Sequence, residues 1–129
     1  MNKIIVEVSI GELLDKISIL EIKQEKIKDP EKLKFINNEY SILKNQLKKN
    51  VKSGVKLNNL YQSLKEINAK LWVIEDDKRQ CEKDKDFGEK FIKLSRDVHF
   101  LNDDRAKIKL EINNHTGSLI KEIKEYTNY

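Results

Sequence analysis

Cysteine, proline and glycine are scarce in this chain of 129 residues. Cys81 is the single cysteine, which excludes an internal disulfide and any metal site built from several cysteines. With one proline and four glycines, the chain lacks the closely spaced turn residues of a β-sandwich or barrel. No apolar run approaches the roughly 20 residues of a membrane-spanning helix, and the short Ile4–Val6 run is interrupted by Glu7, unlike a secretory signal. We therefore expect one domain over residues 1–129, in a cytoplasmic protein with no membrane contact.

Charge is abundant but mixed in sign. Charged residues make up 37% of the chain and the formal net charge is +4. Arginine occurs only as Arg79, Arg96 and Arg105, whereas the many lysines alternate with acidic residues. Proteins that read nucleic acids rely on arginine and aromatic contacts, so we do not expect a nucleic-acid partner.

Two helix-start signals divide the first half of the chain. Ser9 followed by Glu12 has the spacing of a capping box and predicts a helix over residues 10–28. Asp29 before Pro30 is a second start signal and predicts a helix over residues 30–49. The linker between them is very short, which indicates an antiparallel hairpin.

Two longer helices are predicted in the second half. Apolar residues at steps of three and four favour helices over residues 56–83 and 87–114. Thr116-Gly117 is expected to end or kink the last helix, and Ser118 to cap a final turn carrying Leu119, Ile120 and Ile123. With a turn near Lys85, residue 68 should face residue 102 to within about one helical turn.

Together these patterns predict an all-α fold, an antiparallel bundle of four main helices in two hairpins, of which the second is longer. The β-branched residues 3–8 suggest a short extended strap across the bundle.

Arg105 interrupts the apolar stripe of the last helix. The stripe includes Phe91, Leu94, Val98, Leu101 and Ile108, and Arg105 takes the missing step. An unpaired charge out of water costs several kcal/mol, so the arginine needs partners.

Polar residues on three helices could surround this arginine. Asn102, Asp103, Asp104 and Asn113 lie near it on its own helix, and Trp72 offers an aromatic wall. The candidate ligand-binding residues are Arg105, Asn102, Asp103, Asn68, Trp72, Glu75, Glu12, Asp15, Lys16 and Lys109.

Two interpretations of this cluster stay open. Arg105 pairs with Asp15 or Glu12 as an interior salt bridge that fixes the packing register, or the cluster binds a small anion, since a guanidinium fork suits carboxylate and phosphate. The leading hypothesis is a non-enzymatic binding or accessory module that takes an anionic small molecule or an acidic group of a partner.

The alternatives are a structural homo-oligomer without a ligand, such as a coiled-coil-like homodimer, and a magnesium-dependent nucleotide hydrolase. The hydrolase would use Glu75-Asp76 with Asp103-Asp104, but the carboxylate spacing of that enzyme class is not present in order. We therefore expect no metal or cofactor, favour a protein that is not an enzyme, and assign no catalytic residue.

Three separated motifs carry a resemblance to a known family. They are Ser9–Lys16 continuing to Ile19–Lys23, then Leu71-Trp72 with Ile74–Asp76, and finally Asn102-Asp103 with Arg105-Ala106, Lys109 and Ile112-Asn113. The chain resembles a bacterial family of small uncharacterised helical proteins, a domain of unknown function whose members sometimes occur near glycosyltransferase and polysaccharide genes. The resemblance implies no catalytic residue and hints at a sugar-related role. Asn114–Thr116 depart from the apolar continuation that the family shows there.

Overall fold

Four helices make up the fold in the computed structural model, which describes residues 2–129. They are α1 (Ile10–Lys26), α2 (Pro30–Asn50), α3 (Val55–Asp84) and α4 (Glu89–Thr116). Residues 2–129 contain no strand. The fold is the all-α bundle that the spacing predicts, with 17 and 21 residues in the first two helices and 30 and 28 in the second two.

Local hydrogen bonds explain where the helices begin and end. The Ser9 hydroxyl accepts from the Glu12 amide at 3.0 Å, and the Asp29 carboxylate accepts from the Glu31 amide at 3.0 Å. Lys85 (φ 55°) ends α3 and Gly117 (φ 68°) ends α4, both in the left-handed conformation. The predicted helix bounds are therefore correct to within two residues.

α1 is the central helix of the bundle. It packs against α2, α3 and α4, and α3 pairs with α4, whereas the backbone of α2 lies close to α1 alone and reaches the core through Leu47. The apolar core joins Leu14 of α1, Leu57 and Leu64 of α3, and Ile112 of α4. Burial of these side chains at about 25 cal/mol per Å² of apolar surface holds α1 against the long hairpin.

The predicted N-terminal strap is wrong. Residues 2–8 are exposed, and the side chains of Ile4, Ile5 and Val6 do not pack on the bundle. Their β-branched pattern favours extended backbone, but a strand needs a pairing partner, and this bundle has no sheet edge to offer one.

The predicted last turn after Gly117 is also wrong. Residues 118–129 contain no helix. The Ser118 hydroxyl accepts a hydrogen bond from the amide of Ile10 at 3.2 Å. It therefore pairs a backbone N–H in the first turn of α1 and does not cap a new helix. Within residues 2–129, no helix has a stretch both long and apolar enough to cross a membrane.

Candidate functional site

A buried carboxylate on α1 is the partner of Arg105. The Nε of Arg105 donates to Oδ1 of Asp15 at 3.0 Å, and its Nη2 donates to Oδ2 of the same carboxylate. The Asp15 side chain is 2% exposed and the Arg105 side chain 29%. The inward position of Arg105 and its pairing with an α1 carboxylate are thereby confirmed.

Asn68 brings α3 into the same network. Its Nδ2 donates to Oδ1 of Asp15 at 2.9 Å and to the Ser18 hydroxyl at 2.8 Å. Ser18 in turn donates to the backbone carbonyl of Asp15 at 2.7 Å. The Asp15 carboxylate therefore receives hydrogen bonds from two helices, which also confirms that residue 68 lies at the level of residues 102–105.

Lys109 lies one turn further along α4, next to the first turn of α1. Its Nζ donates to Glu12 at 2.8 Å and to Glu122 at 3.1 Å, and lies 3.8 Å from Oδ2 of Asp15. Its side chain is only 10% exposed. A buried ammonium needs such partners, because burial without them strongly disfavours the charged form.

These contacts shift the pKa values of the cluster. Burial raises the pKa of Asp15, but hydrogen bonds from Arg105 and Asn68 outweigh burial, so the net pKa is lowered. The hydrogen bond to Asp15 raises the pKa of Arg105. Burial lowers the pKa of Lys109, yet its bonds to Glu12 and Glu122 more than compensate and the net pKa is raised. All of these groups are therefore held in their charged forms.

Two depressions flank Arg105. A groove of about 350 Å³ has apolar walls from Ile19, Leu71 and Trp72. A polar pocket of about 210 Å³ is lined by Asn102, Arg105, Ala106, Lys109, Glu122 and Lys124. The Nη1 of Arg105 makes one long contact within residues 2–129, to Oδ1 of Asn102 at 3.5 Å. Asp15 thus occupies one side of the guanidinium and leaves the other toward the polar pocket.

Comparison with known proteins identifies the family. Residues 4–129 match the model described as "Family of unknown function (DUF6165)". The chain belongs to this family. The resemblance to a domain of unknown function is thereby confirmed, and the match itself assigns no activity, substrate or partner. Searches among curated proteins and among solved structures found no match.

The DUF6165 chain brings five of the candidate residues into one network: Asp15, Arg105, Asn68, Lys109 and Glu12. Asn102 lines the polar pocket, whereas Trp72 and Glu75 line the groove on the α3 side. Lys16 is exposed, and its Nζ has a single long contact within residues 2–129, with a carboxylate oxygen of Glu12 at 4.0 Å. Asp103 accepts a hydrogen bond from Tyr129 and lies outside the network.

The acidic pairs proposed for magnesium lie apart from the network. Glu75 and Asp76 are at the groove, and Asp104 is exposed. Across residues 2–129, no three His, Cys, Asp or Glu side chains are grouped so that they could hold a metal ion.

Sequence reasoning missed the residues that let α1 and α4 touch. The Gly11 amide donates to Oδ1 of the buried Asn113 at 2.7 Å. A Cβ on Gly11 would lie 2.6 Å from the carbonyl oxygen of Lys109 and 2.9 Å from Oδ1 of Asn113. A glycine in the first turn of a capped helix is a weak signal of such close approach. Ser18 and Glu122 carried no signal, because their contacts with Asn68 and Lys109 join residues of different segments.

Proposed function

We propose that this chain is a non-enzymatic binding module that takes an anionic small molecule in the polar pocket beside Arg105. The observation that carries the proposal is the open side of the guanidinium. Nε and Nη2 are used by Asp15, whereas Nη1 has a single 3.5 Å contact with Asn102 at the wall of the pocket. A guanidinium with open N–H groups is well suited to a carboxylate or phosphate.

The charges around the pocket support an anionic ligand. Its walls carry three cations, Arg105, Lys109 and Lys124, and one carboxylate, Glu122. The Asp15 carboxylate neutralises the charge of Arg105 on the side away from the pocket and fixes the orientation of the guanidinium. An anion bound here would meet ammonium and guanidinium groups that are already positioned, which reduces the ordering cost of binding.

The protonation states of the network support binding rather than catalysis. A carboxylate that acts as a general base near neutral pH needs a raised pKa. Asp15 has the opposite shift, and the hydrogen bond from Lys109 lowers the pKa of Glu122. Both carboxylates are therefore weak bases that serve as counter-charges.

Isothermal titration with citrate and with inorganic phosphate tests the proposal. Sodium chloride should be added to match ionic strength, because general screening alone alters exposed charges. We expect saturable binding of at least one anion. The double variant Asp15→Asn/Arg105→Met, which keeps the net charge and an oxygen acceptor for Asn68, should bind about tenfold more weakly.

Arg96→Met is the matched control for the loss of an arginine. Arg96 is exposed, lies over the ring of Phe100 at 5.8 Å and is remote from the pocket walls. Its removal should leave anion binding unchanged. No binding of either anion to the unmodified protein would overturn the proposal, as would an equal loss in both variants.

A structural homo-oligomer is the second candidate, favoured by one observation. Within residues 73–100, at the free end of the long hairpin, Cys81 is the only buried residue. Phe87, Ile92 and Phe100 are exposed there. Light scattering decides this case: a dimer that Ile92→Glu dissociates would support it, and a monomer at all concentrations would exclude it.

A further inference from the structure

The C-terminal segment, residues 118–129, returns along α4. It begins at Ser118 beside the start of α1, passes Lys109 at Glu122, and ends with Tyr129 stacked against His99 at 4.7 Å between ring centres. Twelve residues of extended chain can span roughly 40 Å, more than the length of α4 between residues 99 and 117. The segment therefore passes over the polar pocket and contributes to its wall.

A carboxylate of this segment lies among the cations of the pocket. Glu122 accepts from Lys109 at 3.1 Å and lies 3.3 Å from the Nζ of Lys124. Lys109 has three donor hydrogens, and it bonds both to Glu12 of α1 at 2.8 Å and to Glu122 at the wall of the pocket at 3.1 Å. Glu122 therefore occupies the position beside Lys109 that the anionic group of a ligand would take.

The segment is attached by few contacts. Leu119 and Ile123 are exposed, and neither packs into the core. Apart from the contacts of Tyr129 with Asp103, His99 and Phe100, residues 122–129 and α4 line a cavity of about 430 Å³ between them. Segments with few buried apolar contacts open at low free-energy cost, and the ion pair that attaches this one, Lys109–Glu122, is exposed on the Glu122 side.

The first residues of the segment are held more firmly. Ser118 is buried, its hydroxyl accepts from the Ile10 amide, and it donates to the carbonyl of Ile120 at 2.8 Å. Gly117, in the left-handed conformation, sets the direction in which the chain leaves α4. Opening would therefore begin after Ile120 and leave α1 and α4 undisturbed.

We infer that residues 121–129 form a displaceable lid, in which Glu122 is a tethered competitor for the anionic group of the ligand. This inference rests on the proposed function of the pocket. Ligand binding and lid closure exclude each other, because both require the donor of Lys109 that Glu122 occupies, whereas Lys124 belongs to the lid and moves with it. The pocket is closed by its own carboxylate when ligand is scarce and opens when an external anion replaces that carboxylate.

The variant Glu122→Gln in the full chain tests the lid. It removes the charge that competes for Lys109, so citrate should bind roughly two- to fivefold more tightly than to the unmodified protein, the range that a partly exposed ion pair supports. Glu125→Gln is the matched control, because Glu125 is an exposed glutamate of the same segment that makes no hydrogen bond or ion pair within residues 2–129. It should leave affinity unchanged.

Backbone ¹⁵N relaxation of residues 121–128 gives a readout that does not depend on affinity. Order parameters of these amides should fall in Glu122→Gln without ligand, and in the unmodified protein when citrate saturates it, but not in Glu125→Gln.

Citrate binding with equal affinity to both variants, and with no change in segment order, would overturn the lid while leaving the pocket intact. Absence of citrate and phosphate binding to every form would overturn the pocket and the lid together.

Discussion

At the residue scale, Asp15 is the point where three helices are joined by polar contacts. Arg105 of α4 and Asn68 of α3 both donate to its carboxylate, which is almost fully buried. A charge in this position is stabilising only while its partners remain. Removing one partner leaves a buried charge uncompensated and is far more costly than removing both.

The single and double variants should therefore differ in stability. Arg105→Met alone is expected to lower the free energy of unfolding by about 3 kcal/mol, because the Asp15 charge loses its main partner. Asp15→Asn/Arg105→Met should recover most of that loss. Urea denaturation measures both, and a double variant no more stable than the single one would show that the unpaired Asp15 charge is not the cause of the loss.

The lowered pKa of Asp15 predicts sensitivity to acid. A carboxyl whose pKa is lower in the folded than in the unfolded state stabilises the fold above its ordinary value of 3.8, and this stabilisation is lost as pH falls through the folded pKa. The free energy of unfolding should thus decline from about pH 5 downward, and more steeply below pH 4. Asp15→Asn/Arg105→Met should show a shallower decline.

Asp104→Asn is the control for this pH dependence. Asp104 is an exposed carboxylate on the same helix and makes no hydrogen bond or ion pair within residues 2–129. Its replacement should keep the full acid dependence. Equal slopes for all three proteins below pH 4 would mean that Asp15 is not the group responsible.

Single residues show what the sequence could reveal and what it could not. Arg105 was predictable, because a charge inside an apolar stripe demands a partner, and Asp15 was among the few carboxylates within reach. Glu122 was not, because its contact with Lys109 depends on the path of a segment with no periodic pattern. Ser18 was given no role, and Asn113 was placed beside Arg105 without its contact to Gly11, because small polar residues are equally common on exposed helix surfaces.

At the scale of elements, α1 and α4 are in close backbone contact at Gly11. Its Cβ position is blocked by the backbone carbonyl of Lys109, which cannot rotate away as a side chain can. Gly11→Ala should therefore lower the free energy of unfolding by about 2–3 kcal/mol, since α1 must shift and the bond to Asn113 is weakened.

Gly54→Ala is the matched control for Gly11→Ala. A Cβ on Gly54 would meet nothing within 4 Å, so this change should cost less than about 1 kcal/mol, the loss of a favourable helix-start residue. Thermal or urea unfolding compares the two. Similar costs at both positions would contradict a tight α1–α4 contact.

Helix ends were predictable, and the two terminal segments were not. Ser9, Asp29 and Gly117 act through hydrogen bonds or backbone conformation within a few residues, which sequence patterns encode directly. Residues 3–8 and 118–123 carry apolar or capping patterns whose outcome depends on a tertiary partner. Ser118 bonds to the amide of Ile10, which is 108 positions away, and no local pattern indicates such a contact.

At the scale of the whole molecule, stability is concentrated where α1 meets the long hairpin. α1 contributes eight buried residues, whereas α2 contributes only Ile36. The two-hairpin architecture was predictable from helix lengths and short linkers. The unequal attachment of α2 was not, because its apolar stripe has the same spacing as those of the other helices.

Hydrogen exchange should reveal this inequality. We expect amides in α2 to exchange faster than those in α1 and in the Leu57–Leu71 part of α3, since α2 contributes fewer buried side chains and its opening exposes less of the core. Native-state exchange followed by NMR measures it. Equal protection in α1 and α2 would indicate that the first hairpin opens only with the whole fold.

The most direct test of the central claim, that Arg105 is paired on one side and open to anions on the other, is NMR observation of the arginine Nε–Hε groups. The chain has only three arginines, Arg79, Arg96 and Arg105, so each signal can be assigned from single variants. During a citrate titration at constant ionic strength, we expect the Arg105 signal to be protected from exchange and to shift saturably, while the Arg96 signal stays in place. An Arg105 signal that exchanges rapidly with water, or that does not respond to citrate, would contradict the claim.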